Sequence, residues 1–158
     1  YENLSIDDEN RFYPRHVPIM IGEPLRTNFA LLQSPEPINF GIVSLISFKA
    51  KDLVAQCTGE VLNFQTLHSL QHTEKIFYHD DFFAGYLLHS CDPNCVLNME
   101  DFSLYAIKDI RPFERLTIDY ELTEAELFQP FHCTCGSDKC KGFVQGYKFK
   151  KNEASNED

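Results

Sequence analysis

Six cysteines and six histidines hold most of the chemistry that this chain could perform. Three of the cysteines lie together in Cys133-Thr134-Cys135, followed by Cys140, a C-x-C-x₄-C pattern beside Gly136 and Gly142. Three thiolates on a tight loop supply most of a tetrahedral zinc site, because structural Zn²⁺ is held by four Cys or His ligands. By spacing alone the fourth ligand is open between Cys91, Cys95, Cys57 and His132. The competing readings are buried free thiols and disulfides. The two cysteines of a C-x-C do not easily bridge each other, and an intracellular chain stays reduced. The densest stretch is Leu88-His89-Ser90-Cys91-Asp92-Pro93-Asn94-Cys95, which sets a histidine and two cysteines around an Asp-Pro-Asn turn. Proline fixes φ, while Asp and Asn bond their own backbone, so the turn is tight. The flanking apolar runs Phe82–Leu88 and Cys95–Leu97 should anchor it at both ends.

The elements that must position these residues read as short strands. At 158 residues, 43% hydrophobic and 13% aromatic, the chain is one globular domain, with 14 phenylalanines and no tryptophan to fill its core. Pro14, Pro18 and Pro24 punctuate the first 25 residues, where His16–Ile21 reads as an edge strand. Strands follow at Phe29–Leu32, Ile42–Ile46, Leu53–Cys57, Glu60–Leu62 and Lys75–Tyr78. Residues 64–72, with Leu67 and Leu70 three apart, read as a helix, and Asp80-Asp81 as a solvated turn. The stretch 44–53 echoes 106–116, each a strand end, a basic turn, an acid and a return strand. The sum is a mainly β architecture.

Charge narrows the partners. Fourteen Lys and Arg against 24 Asp and Glu give −10, the wrong sign for displacing counterions from a nucleic acid. An acidic surface suits a lysine-rich peptide, or simply serves solubility. No apolar run approaches the ~20 residues of a membrane span, and Tyr1-Glu2-Asn3 opens no signal peptide. A monomeric intracellular protein, nuclear or cytoplasmic, is expected.

Taken together, His89-Ser90-Cys91-Asp92-Pro93-Asn94, then Leu104-Tyr105-Ala106 to Leu116-Thr117-Ile118-Asp119-Tyr120, then Cys133-Thr134-Cys135-Gly136 to Cys140-Lys141-Gly142, resemble the SET-domain family with its post-SET zinc loop. Asn39-Phe40-Gly41 and Thr58-Gly59-Glu60 match the family's G-x-G and Y-x-G-E stretches. The resemblance implies small curved sheets around a knot-like crossing, with few short helices. Its bounds are a flanking segment 1–25, a SET domain 26–122, a post-SET segment 123–148 and a disordered acidic tail 149–158. It implies a protein-lysine methyltransferase using S-adenosylmethionine (SAM), which would be held around Phe40, Gly41, Tyr86, Leu88 and His89. Tyr120 matches the tyrosine that orients the amine, Cys57 stands at the second channel position, and zinc falls to Cys91, Cys133, Cys135 and Cys140.

Several residues depart from the family pattern. Leu88 replaces the asparagine of N-H-S, Asn39 a glycine, Gly85 an arginine and Cys57 a tyrosine. Phe113 and Arg115 replace a glycine and an acid of the G-E-E-L-T turn. These changes leave a second reading, in which a diverged SET fold binds or regulates without methylating, or serves another reaction on a small molecule.

Overall fold

The computed structural model describes residues 8–34, 39–125, 127, 130–133, 138, 140 and 142–146. Among them twelve short strands form five small sheets, with one α-helical turn, so the mainly β architecture holds. Strands β1 (Phe29–Ser34) and β2 (Asn39–Ser44) pair antiparallel. A second sheet has the order β3 (Leu53–Gln56), β9 (Ser103–Ala106), β8 (Cys95–Asn98). A third has β4 (Glu60–Leu62), β6 (Phe77–His79), β5 (Ser69–Gln71). At the centre β7 (Leu88–His89) lies parallel to β10 (Thr117–Ile118), with Thr117 opposite Leu88 and Ile118 opposite His89. Helix α1 (Tyr120–Thr123) follows directly, and β11 (Phe131–His132) pairs with β12 (Phe143–Val144).

Parallel pairing needs a long connection, because two adjacent strands cannot point the same way across a tight turn. Here residues 90–116 supply it, and Asn94 closes the crossing. Its Oδ1 accepts the Thr117 N–H at 2.9 Å, its Nδ2 donates to the Arg115 carbonyl at 2.8 Å, and its own N–H reaches Thr117 Oγ1. This buried amide thus braces the side-by-side placement of the HSCDPN and LTIDY stretches, beside the β7–β10 pairing and the Ser90 N–H bond to the Ile118 carbonyl.

The core is aromatic, as the composition requires. Phe12, Phe29 and Phe83 meet edge-on with ring centroids 5.1–6.4 Å apart, the favoured arrangement of aromatic quadrupoles. The two echoing stretches pair with each other: Phe48 and Ile110 exchange backbone hydrogen bonds, and the Ala50 N–H reaches the Asp109 carboxylate. Phe113 keeps the left-handed backbone (φ 70°) that suits glycine, with its ring 76% exposed.

Three expectations need correction. Residues 64–72 are not a helix: Ser69, Leu70 and Gln71 are all buried in β5, against β6, while Leu67 is exposed. Two leucines three apart fit one helix face, but also a turn followed by a buried strand. His16–Ile21 forms no strand, since Pro14 and Pro18 break the ladder and Gly22 turns the chain at φ 85°. Asp80 is not solvated but 1% exposed. The tail 149–158 lies outside the described residues.

Candidate functional site

Tyr120 is held at both ends by β7 and the residue before it. Its hydroxyl donates to the Leu87 carbonyl at 2.6 Å, and its backbone N–H donates to His89 Nδ1 at 3.0 Å. Asp119 caps α1 by accepting the Glu121 N–H, which fixes where the helix and its tyrosine begin. Burial raises the tyrosine pKa above its ordinary value, with the Glu124 carboxylate adding to the effect. The hydroxyl therefore stays protonated at neutral pH. With its proton engaged by Leu87, its oxygen can only accept, which suits the N–H of an incoming amine.

Glu124, one turn on, is itself buried and braces α1 to β5. Its carboxylate accepts the Gln71 N–H at 2.8 Å and the Gln65 side chain at 3.3 Å, and Gln71 Oε1 takes the Ala125 N–H. Burial pushes its pKa up, against the hydrogen bonds that lower it. Neither Glu124 nor these glutamines stood out in the sequence. An acid one turn beyond Tyr120 was the available signal.

Of the residues expected around SAM, Gly41 in β2 and Leu88 in β7 meet. Gly41 lies in β2, buried, and a Cβ there would sit 2.9 Å from Leu88 Cδ1 and 3.3 Å from its Cγ. The glycine thus opens the strand face toward β7, and the Leu88 isobutyl group covers part of the opening. Phe40 shares the strand, opposite Gln33. Tyr86 ends the 3₁₀ turn Ala84–Tyr86, its ring tilted against His68 at 4.7 Å. A Cβ at Gly85 would strike the Asp80 carbonyl and the His68 side chain, so no arginine fits there. At its contact with Gly41 the Leu88 side chain offers a cofactor no hydrogen bond.

The thiols divide sharply. Cys91 and Cys133 Sγ atoms lie 3.8 Å apart. Two sulfurs, each ~2.3 Å from a tetrahedral zinc, are separated by about 3.8 Å, so this pair has the edge length of a zinc site. His89 Nε2 completes a cluster of three donors, 3.3 Å from Cys91 Sγ. Cys140, on the same segment, turns its Sγ to the Cys133 carbonyl at 3.7 Å. Cys135 lies outside the described residues. His132, Cys57 and Cys95 are not in the cluster.

Cys57 is buried to 1% exposure beside the Tyr13 hydroxyl, and burial, then the Asp80 charge, pushes its thiol up. Burial likewise pushes Cys95 to about 12. Both remain neutral thiols in the core. Cys57 borders a cavity of about 200 Å³ whose other walls include Met20, Tyr78, Glu100, Asp101 and Phe102, and Tyr120 does not line it. Of the two expected channel residues, only Cys57 faces this cavity. Asp80 was missed as a site-builder: it accepts the N–H groups of Phe82, Phe83 and Ala84 at 2.9 Å and the Tyr13 hydroxyl at 2.7 Å. It thereby fixes the entry to the turn that leads into β7.

Comparison with known proteins places this geometry. A model of the SET domain family matches residues 39–121. Histone-lysine N-methyltransferase TRX1 of Oryza sativa subsp. japonica is 29% identical over 130 aligned residues, covering 66% of this chain and 12% of that protein. Methyltransferase flvH of Aspergillus flavus is 39% identical over 64 residues, covering 39% of this chain and 35% of that protein. The chain thus spans little more than a third of the longer-covered of these two relatives. The methyltransferase domain of human SETMAR superposes with a TM-score of 0.59 at 20% identity, over 75% of this chain and 58% of that one. KRYPTONITE, solved with mCHG DNA and SAH, gives 0.59 at 22% identity, over 74% of this chain and 29% of that one. At these identities the superpositions establish the fold.

Proposed function

The chain belongs to the SET-domain family, and from that premise we propose that it is a SAM-dependent methyltransferase acting on a protein lysine. The observation that supports this most is the double hold on Tyr120, whose hydroxyl proton goes to Leu87 and whose oxygen is left to accept. When bound, SAM supplies an electrophilic methyl on a sulfonium. Phe40 and Gly41 in β2, with Tyr86, Leu88 and His89, would hold it in the opening that Gly41 leaves. Tyr120 would orient the lysine Nζ by accepting one of its N–H groups, and alignment of this kind can supply much of the rate. The transfer would exchange the methyl's C–S bond for an N–C bond, and the amine would lose one proton. KRYPTONITE was solved with SAH, the product that such a transfer leaves.

The curated relative TRX1 is named for histone lysine, and a lysine-rich tail suits the −10 charge of this chain. In this reading a structural zinc ties the C-terminal segment to the crossing through Cys91, Cys133, Cys135 and Cys140. The 3.8 Å edge supports it for the first pair.

Methyl transfer to lysine-rich peptides tests the reading. Wild type should transfer, and Tyr120→Phe should lower turnover ~10- to 100-fold, the worth of one strong hydrogen bond in the transition state. SAM affinity by calorimetry should hardly move. Absence of transfer by wild type would favour the second reading, a SET fold that binds or regulates without methylating. The Leu88 side chain over Gly41 favours that alternative, because it narrows the opening and removes an amide.

A further inference from the structure

Tyr120 and the Cys91–Cys133 pair are joined by one side chain. We infer that His89 is a positioning residue that couples the thiolate cluster to Tyr120, standing as a neutral imidazole with its proton on Nε2, and is not itself a metal ligand. The part that concerns turnover rests on the methyltransferase reading above.

The ring decides its own tautomer. The Tyr120 backbone N–H can only donate, and it points at Nδ1 from 3.0 Å, so Nδ1 offers its lone pair. In a neutral imidazole the proton then sits on Nε2. Nε2 lies 3.3 Å from Cys91 Sγ, which makes the contact an N–H···S hydrogen bond. A protonated ring nitrogen has no lone pair for a metal. Of the three clustered residues, two would bind through sulfur and the third donates to a bound sulfur. Asp119 Oδ1 is 3.7 Å from Nδ1, too far to hold a proton there, and it accepts the Glu121 N–H at 3.0 Å instead.

The surroundings lock this arrangement. The His89 side chain is 1% exposed. Phe131 stands edge-on to both His89 and Tyr120, with centroids 5.7 and 6.0 Å away. Residues 87 and 89 thus grip the tyrosine, one at its hydroxyl and one at its amide, and Cys91 grips residue 89 from behind. A metal-bound thiolate accepts more strongly than a thiol, so an occupied cluster tightens the ring and, through it, the tyrosine.

Two variants split the ring into halves. In His89→Asn the amide oxygen reaches the place of Nδ1, and in His89→Gln the amide nitrogen reaches that of Nε2. Co²⁺ replaces the metal as a spectroscopic probe of sulfur ligation, read beside SAM affinity and turnover. His89→Gln should keep the wild-type cobalt spectrum and Co²⁺ affinity while turnover drops about tenfold or more. His89→Asn should keep the number of sulfur-to-cobalt bonds and weaken Co²⁺ binding about tenfold, and its turnover should fall less than that of His89→Gln. SAM affinity should change equally in the two, because both keep the backbone of residue 89. Loss of a nitrogen ligand from the cobalt spectrum in both variants would overturn the inference, as would equal losses of turnover in the two, or failure of the wild type to bind Co²⁺. Wild type that transfers no methyl, with the cobalt results as stated, would overturn the proposed activity and leave the His89 assignment standing.

Discussion

Leu88 and Asp80 show how much one side chain can decide. Leu88 reaches across to Gly41 with a methyl group where an amide could bond the cofactor. Leu88→Asn removes that bulk and adds one donor and one acceptor, so SAM should bind roughly 3- to 10-fold more tightly by calorimetry, the worth of one net hydrogen bond. Unchanged or weaker binding would mean that the cofactor does not rest against residue 88. Asp80 concerns stability. Burial raises its carboxyl pKa, and the Tyr13 hydroxyl and three backbone N–H groups only partly offset that. A carboxyl raised in the folded state stabilises fully below its unfolded value of about 3.9 and loses that contribution as pH rises through the folded value. The stability of wild type relative to Asp80→Asn, from denaturant unfolding, should therefore grow as pH falls from 7 toward 4. A difference that shrinks over that range would mean that the hydrogen bonds outweigh burial. Cys91, Cys133 and Tyr120 could be singled out in the sequence because their motifs are local. Asp80 could not, since its partner Tyr13 stands 67 residues away and nothing in Asp80-Asp81 tells the buried acid from the exposed one.

At the level of elements, β7 and β10, two residues each, lie at the centre of the site, and they are too short to hold themselves. Asn94 supplies what they lack, with contacts to the Thr117 N–H, the Arg115 carbonyl and the Glu114 carboxylate. Asn94→Ala leaves a buried donor and a buried acceptor unpaired and should cost about 2–4 kcal/mol in denaturant unfolding. Asn94→Asp should be no better, although it has the same shape. It still accepts from Thr117, but turns an acceptor toward the Arg115 carbonyl and a second charge toward Glu114. If the aspartate variant kept wild-type stability, the amide donor would be doing nothing at the crossing. The crossing was legible through its two motifs. The β4–β6–β5 sheet was legible only in part: the strand around Phe77 was foreseen, whereas Leu67 and Leu70 counterfeit a helical face. What separates the alternatives is the pairing of Leu70 with Tyr78, a contact that periodicity within one segment does not contain.

Across the whole molecule, Phe12 and Tyr13 of the N-terminal segment belong to the core. Phe12 and Tyr13 are 4% and 2% exposed, and Tyr13 ties this segment to Asp80 at the entry of the site. The segment is closed on itself by Arg11 and Glu23. The guanidinium makes two parallel bonds to the carboxylate, at 2.6 and 3.0 Å, and also reaches the carbonyls of Pro14 and Pro18. Both side chains are at most 2% exposed. A buried pair of this kind contributes little net stability over an apolar pair of similar size, because desolvating two charges offsets their attraction. Removing one partner is different, since it strands a charge. Arg11→Met should therefore destabilise the protein by about 3–5 kcal/mol, while Arg11→Met with Glu23→Met should recover much of that loss. Denaturant unfolding of the single and double variants, with near-ultraviolet dichroism of the Tyr13 environment, reads both. If the double variant is as unstable as Arg11→Met alone, the guanidinium's bonds to Pro14 and Pro18 matter more than charge pairing. The segment would then be held by its carbonyls. Recovery in the double variant would show that the fold needs the loop closed around matched partners and is indifferent to whether those partners are charged.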